Sequence, residues 1–303
     1  MPPRFTCQLL GAPSLTDAAG ARIESLLAQP KRFAVLAYLL VEARGTPVMR
    51  DKVATLFWPE LDQQRARQAL RQSLHVIRKD LGDDAIVGVG AEMLAVGEGA
   101  ASSDVAEFNA AIDAGRPADA VALYRGQFLD GFYVSDAPEF DQWLAAVRSR
   151  FREAVVHTVG RLAADAEAAG NADDAVRWLR RQLSLGDVDE RPLRRLMTVL
   201  RAQGNAAAAV AACDDYAAWM HREMGMEPSE ETVSLVADIR AEAASTGAPP
   251  QRAGESFVGG TDAPARSASR FRAMTCLKRS GCTGAFSPPS VRVQQPCRKN
   301  CCT

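Results

Sequence analysis

The sequence lacks the short motifs on which many enzymes depend. It contains no Walker GxxxxGK[ST], no HExxH and no GxSxG motif, and the run GVGAEM at Gly88 lacks the third glycine of a dinucleotide-binding loop. It has only three histidines, and none has a cysteine or an acid at metal-ligand spacing: His75, His157 and His221. We therefore expect no enzyme, no cofactor and no metal site.

Long hydrophobic runs are missing too. The longest, from Phe33 to Val41, is far shorter than the roughly 20 residues that span a bilayer. The chain does not open with a charged segment followed by an apolar one, which a secretion signal requires. The sequence therefore indicates neither membrane insertion nor secretion, and we expect a cytoplasmic protein.

Cysteine is scarce except in one segment. Cys7 and Cys213 lie in a predicted strand and a predicted helix, where we interpret them as small core residues. The other five crowd into a stretch that is rich in Gly, Pro, Ser and Arg: Cys276, Cys282, Cys297, Cys301 and Cys302. Their number and spacing match no even disulfide framework and no familiar zinc site. Residues 246–303 are predicted to be a disordered tail, with a zinc knuckle or a truncated end as alternatives.

The net charge of −1 hides a strong asymmetry. Residues 31–79 hold ten basic residues against four acids, whereas residues 105–245 hold fifteen against twenty-three. A basic patch on an acidic body favours nucleic-acid binding at one surface.

Residues 61–82 predict an amphipathic helix with a DNA-reading face. Apolar residues recur at spacings of three and four and form a core stripe: Ala66, Leu70, Leu74, Ile77 and Leu81. The other side is basic and rich in amides, and we predict that it contacts DNA through Gln64, Arg65, Arg67, Gln68, Arg71, Gln72, His75, Arg78 and Lys79. Arginine offers a planar fork to guanine or phosphate, and glutamine can pair with adenine. From this segment alone, a solvated helix without a DNA role is an equal alternative.

The neighbouring segments favour the DNA-reading interpretation. A short helix is predicted from Arg50 to Trp58 and stops at Pro59, so it forms a helix-turn-helix pair with the basic helix. A further helix, with apolar residues at helical spacing from Phe33 to Leu40, precedes the pair. Residues 85–96 predict a wing hairpin, while residues 5–10 and a run around Ile23 predict two N-terminal strands.

Several segments together carry a resemblance to a known family. They are LLGAPSL, LAYLL, LFWPE, ARQALRQSLHVIRKDLG and SDVAEF, followed by YRGQFLDGF, FDQWLAAVRSRF and YAAWMHREMGMEPSEET. In this order, over residues 4–242, the chain resembles the OmpR-type winged-helix regulators that carry a bacterial transcriptional activator domain, such as the streptomycete antibiotic regulators. Met49 departs from the pattern, because the family tends to place a capping Ser or Thr there. Losing such a cap costs about 1 kcal/mol, which does not threaten the fold.

The second half contains a helical repeat. The Gly-Asn pairs at Gly170 and Gly204 lie thirty-four residues apart, which is the tetratricopeptide period, and residues 113–128 form a looser copy. Helix hairpins of this kind bury their apolar faces only against neighbours, so a short solenoid is predicted. Trp143, Trp178 and Trp219 lie among apolar residues at helical spacing, and we interpret them as core residues.

We therefore predict a mostly α protein in three parts. Residues 1–100 are the winged helix-turn-helix, residues 101–245 a tetratricopeptide-like bacterial transcriptional activator domain, and residues 246–303 the tail. The predicted function is sequence-specific binding to double-stranded DNA as a transcriptional regulator and activator, associated with the nucleoid. The resemblance implies RNA polymerase as a partner and a homodimer on tandem sites. The alternative is an interaction protein whose winged helix binds protein rather than DNA.

Overall fold

A computed structural model of the chain describes residues 3–43, 45–186 and 188–246. Except for Thr246, the predicted tail lies outside the described residues, and so do its five cysteines. The described part is mostly helical, and its named strands all lie before Asp104. The predicted fold class is therefore confirmed. Below, residues 3–103 are called the head and residues 104–246 the body.

The head begins with a small three-stranded sheet. Its central strand, β1 (Phe5–Gln8), pairs antiparallel with β2 (Ser14–Asp17) on one side. On the other side it pairs in parallel with β6 (Ala101–Ser103). Alternation along β1 places Phe5 and Cys7 in the core, as expected for Cys7.

The second strand does not lie around Ile23, so that prediction is wrong. The Asp17 carboxylate accepts the backbone N–H groups of Ala19 and Ala21, both at 2.9 Å, and closes a turn directly after β2. An isolated bridge lies beyond the turn, and Ile23 then leads into the short helix α1 (Glu24–Leu27). Strand β2, which precedes this turn, is the one that pairs with β1.

Three helices form the centre of the head, as predicted. They are α2 (Pro30–Glu42), α3 (Arg50–Phe57) and α4 (Gln63–Leu81). The Asp62 carboxylate caps α4 by accepting a backbone N–H of its first turn at 2.9 Å. Gly82 ends the helix with φ 105, in a region of backbone conformation that favours glycine.

The apolar stripe of α4 faces the core of the head. All five predicted stripe residues are buried: Ala66, Leu70, Leu74, Ile77 and Leu81. Burying a leucine side chain stabilises the fold by roughly 1.5–3 kcal/mol. The stripe therefore fixes the rotation of α4 about its axis, and the opposite face of the helix points to solvent.

The predicted wing is present directly after α4. Strands β4 (Ile86–Val89) and β5 (Met93–Val96) pair antiparallel across a turn that includes Gly90 at φ 62. A two-residue strand, β3 (Val48–Met49), adds to the free side of β5. The wing is thus tied to the segment that immediately precedes α3.

The body is a series of helices in which each packs against the next along the chain. They are α5 (Asp104–Asp113), α6 (Pro117–Leu123), α7 (Pro138–Ala168), α8 (Ala172–Leu183), α9 (Arg191–Ala202), α10 (Ala206–Met224) and α11 (Glu230–Thr246). None of these or the other described helices is both long and apolar enough to cross a membrane.

The Gly-Asn pairs make equivalent turns between helices. Gly170 and Gly204 adopt φ 70 and φ 74, which a glycine tolerates best. The next residue, Asn171 or Asn205, caps the following helix by accepting a backbone N–H at 3.2 Å. The sequence repeat therefore corresponds to two helix hairpins with the same turn chemistry, α7–α8 and α9–α10.

The cysteine and the three tryptophans that were predicted to lie in the core of the body are buried to different extents. Cys213 is buried, as expected. Trp143 packs against Tyr38 of α2, with ring centroids 5.0 Å apart, and is half-buried. Trp178 is also half-buried, and Trp219 is half-buried on the wall of an open concavity.

Head and body share one continuous core at their junction. The buried Asp104 carboxylate accepts the backbone N–H groups of Leu9 and Leu10 at 2.8 and 2.9 Å. Leu10 also forms an isolated antiparallel bridge with Phe128. Strand β6 lies just after residue 100 and yet completes the head sheet, and the boundary between the two predicted domains stays a prediction.

Candidate nucleic-acid interface

The outward face of α4 carries the amide and basic residues of the predicted site. Gln64, Gln68, Arg71, Gln72 and His75 are all exposed. Together with a neighbouring arginine of α2, Arg32, they line an open surface concavity of about 780 Å³. Glutamine and arginine can present paired hydrogen-bonding groups to base edges, which this row offers along one side of a helix.

The two ends of α4 hold the remaining exposed members of the predicted site. Arg65 lies in the first turn, with its Nε 3.4 Å from a carboxylate oxygen of the capping residue Asp62. Lys79 lies in the last turn and is exposed. Both are placed where they can add positive charge at the ends of the glutamine-rich row.

Arg67 is on α4 but does not project freely. Its guanidinium donates to both carboxylate oxygens of Asp51 in α3, one of them at 2.6 Å, and to Glu92 of the wing turn at 3.1 Å. The hydrogen bond from Arg67 lowers the pKa of Asp51. Arg67 therefore joins α3, α4 and the wing to one another.

Arg78 is also engaged within the protein. Its Nε donates to the backbone carbonyl of Ile86 at 2.8 Å, and its side chain is half-buried. This bond ties the last turn of α4 to the first residue of β4. The structure thus brings Arg71 and His75 together on the open face but gives Arg67 and Arg78 contacts that position the wing.

Arg50, a residue that the sequence pattern did not single out, completes a cluster of positive charge. Burial lowers the pKa of its guanidinium, and the charges of Arg78 and Arg71 lower it further, while Glu92 opposes them. Its Nη2 lies so close to Gly88 that a β-carbon there would sit 3.0 Å away. The missing side chain at Gly88 is the one sequence signal for this approach.

The wing helps to begin α3. Met49, at the N-cap position, makes no side-chain cap and is exposed. The backbone N–H of Arg50 instead donates to the carbonyl of Glu92 at 2.8 Å. Glu92 therefore contacts α3 through its carbonyl and α4 through its carboxylate, and neither link was evident from the sequence.

Comparisons with known proteins identify a matching family and a similar fold. Residues 91–240 match the family model of the bacterial transcriptional activator domain. The fold is similar to that of Mycobacterium tuberculosis EmbR in complex with a low-affinity phosphopeptide, with a TM-score of 0.51 at 22% identity. That match covers 79% of this chain, which spans 65% of the EmbR chain. No curated protein matches the chain in sequence.

Proposed function

We propose that the chain, whose residues 91–240 match the bacterial transcriptional activator domain, is a transcriptional regulator that binds double-stranded DNA through α4. The matched family is one of regulators rather than of enzymes. The observation that carries the DNA-binding proposal is the open row of Gln64, Gln68, Arg71 and Gln72 on the second helix of a helix-turn-helix.

The geometry supports different roles for the residues of the outward face of α4 and for those near the wing. A helix that buries one stripe in its own domain can enter the major groove with the opposite face, where base edges differ in their donors and acceptors. Gln68 and Arg71 occupy the centre of that face and are proposed to contact bases. Arg50, near the wing and at the start of α3, is proposed to contact the phosphate backbone, which supplies much of the affinity.

We extend the proposal to activation at tandem sites. The support is the activator-domain match together with the resemblance of the whole segment order to activators that bind direct repeats and contact RNA polymerase. Because the body as a whole holds more acids than bases, we expect it to add little to the binding of a DNA backbone, so its contribution would come from a second copy or from polymerase. Transcription from a promoter with one or two sites, with and without the chain, tests this part.

The DNA-binding proposal is tested with duplexes that the full chain selects from a random-sequence library. Gln68→Ala and Arg71→Ala should each weaken binding by about 1–3 kcal/mol per lost base contact, and weaken binding to random duplexes less. The matched control is Arg161→Ala, an exposed arginine on α7 in the body. Its affinity should equal that of the unaltered chain.

Two results would reject the proposal. One is that neither Gln68→Ala nor Arg71→Ala changes the affinity for the selected duplexes. The other is that the full chain selects no sequence and binds duplexes without a dependence on salt, which phosphate neutralisation requires. Either result would favour the alternative, in which the winged helix binds protein.

A further inference from the structure

A second cluster of arginines lies far along the chain from α4, at a small pocket of about 340 Å³. Arg125 reaches it from the loop after α6, Arg148 and Arg152 from α7, and Arg181 from α8. Ligand pockets are commonly a few hundred Å³ in volume, so this one is at the small end of the usual range. Its size suits a small molecule.

Backbone carbonyls hold three of these guanidinium groups in place. The hydrogen bonds are Arg148 Nε to Phe128 O at 2.9 Å, Arg148 Nη2 to Leu129 O at 2.7 Å, Arg152 Nη2 to Gly186 O at 2.8 Å and Arg181 Nη2 to Tyr124 O at 2.5 Å. A guanidinium has five N–H donors. Each of the three therefore keeps donors for a further partner while its position is already fixed.

No carboxylate of the described residues forms an ion pair with any of the four arginines. The nearby acids act only at longer range. The charge of Arg125 lowers the pKa of the buried Asp104, although burial raises it more. The lack of an ion pair among the described residues is notable in a body that holds more acids than bases.

Two of the pocket arginines also affect the pKa of a tyrosine that lines the pocket. Burial raises the pKa of Tyr124, while the charges of Arg152 and Arg181 lower it and Asp130 raises it. The charges of both arginines therefore act on the Tyr124 hydroxyl, although burial outweighs them and its pKa is raised.

We propose that this pocket binds a small phosphate-bearing anion. Four like charges that converge without an ion pair to any described carboxylate repel one another, and a bound anion would lower that cost. Arginine suits phosphate because its planar fork matches two phosphate oxygens at once. The fixed guanidinium groups lose little freedom on binding, which favours affinity.

The position of the pocket connects it with the head. The loop that supplies Arg125 also pairs with the residues that follow β1, since Gly11 N donates to Gln127 O at 3.1 Å and Leu129 N to Leu9 O at 2.7 Å. An anion that bridges this loop to α7 and α8 would stabilise the junction of head and body. A ligand that binds only the native state raises its stability.

Titration calorimetry of the full chain with inorganic pyrophosphate, at constant ionic strength, tests the proposal. Arg125→Gln and Arg152→Gln should each lower the affinity at least about tenfold, as expected for loss of a charge-assisted hydrogen bond. Two controls should leave it unchanged. They are Arg161→Gln, on α7 outside the pocket, and Arg71→Ala, on the outward face of α4.

The outcomes separate this site from general attraction between charges. Pyrophosphate binding that Arg125→Gln and Arg152→Gln weaken, and that the controls retain, supports the proposal. Equal losses in Arg161→Gln or Arg71→Ala would overturn it, as would the absence of binding above that of sodium chloride. Loss of duplex DNA binding in Arg125→Gln and Arg152→Gln without any pyrophosphate signal would also overturn it, because the cluster would then be a DNA phosphate contact.

Discussion

Helices α4 and α8 share a pattern of one apolar and one basic face, but the residues around their basic faces differ. Each buries an apolar stripe, with Leu74 in α4 and Leu179 in α8 fully enclosed, and each is rich in arginine on its other side. In α8, Arg177 pairs with Asp174 at 2.8 Å and lies 4.5 Å from the ring centre of Trp178. In α4, Arg71 makes no hydrogen bond or ion pair with the described residues.

The difference arises from where the acids lie. Two aspartates occupy the first turn of α8, and one of them, Asp174, pairs with Arg177 of the same helix. The acids of α4 lie at its ends, where Asp62 caps the helix and Asp80 accepts a hydrogen bond from Ser25. Arg71, at the centre of the outward face of α4, therefore has no acid one turn away in its own helix, whereas Arg177 of α8 has one.

Core truncation should have the largest effect, and it should be equal in the two helices. Leu74→Ala and Leu179→Ala should each lower the free energy of unfolding by about 2–5 kcal/mol, because each leaves a cavity. The exposed neighbours provide controls: His75→Ala and Arg180→Ala should stay within about 0.5 kcal/mol. Denaturant unfolding of the four variants measures this, and a small loss at Leu74 would mean that the rotation of α4 is misassigned.

The next effect is expected where head and body meet. The Asp104 carboxylate accepts N–H groups from Leu9, Leu10 and Val105, all buried bonds of 3.0 Å or less. Asp104→Ala leaves these donors without an acceptor and should cost about 3 kcal/mol, given roughly 1–3 kcal/mol for an unsatisfied buried group.

Asp104→Asn is the matched variant for that measurement, because it keeps one acceptor oxygen and should lose less stability. Thermal melting followed separately by probes in the head and the body would compare the two variants. Equal stability of Asp104→Ala and the unaltered chain would show that the junction does not depend on this carboxylate.

The sequence predicted what periodicity determines and missed what depends on contacts between distant segments. The helices of the head, the wing and the turns at Gly170 and Gly204 follow from local spacing. The strand that pairs with β1 does not follow from local spacing, because strand pairing depends on contacts between separate segments of the chain. The burial of Cys7 follows from its alternation with polar neighbours in β1.

The candidate site shows the same division. Spacing alone places Gln68 and Arg71 on the outward face of α4. It cannot show that Arg67 meets Asp51, sixteen residues away, or that Arg50 approaches the wing beside Gly88. The pocket arginines come from three separate elements, so no window of sequence contains them.

The smallest expected effect concerns Arg67, which sharpens the contrast with Arg177 of α8. Arg177 pairs within one helix, whereas Arg67 joins α4 to α3 and the wing. Arg67→Ala should therefore weaken binding to selected duplexes by no more than about fivefold, the size of an exposed ion pair, by loosening the wing. Arg177→Ala should leave binding unchanged.

A double-mutant cycle with Asp51→Ala assigns the cause. If Arg67 acts through Asp51, the two changes together should weaken binding no more than either alone, whereas independent DNA contacts would add.

The pairing of Arg67 with Asp51 should also depend on pH. Because Arg67 lowers the pKa of Asp51 in the folded state, the contribution of this carboxylate is present above its unfolded pKa and is lost as the pH falls through the folded pKa. Asp51→Asn should abolish that dependence. Additive losses in the cycle, together with an Arg67→Ala effect as large as that of Arg71→Ala, would instead make Arg67 a direct DNA contact.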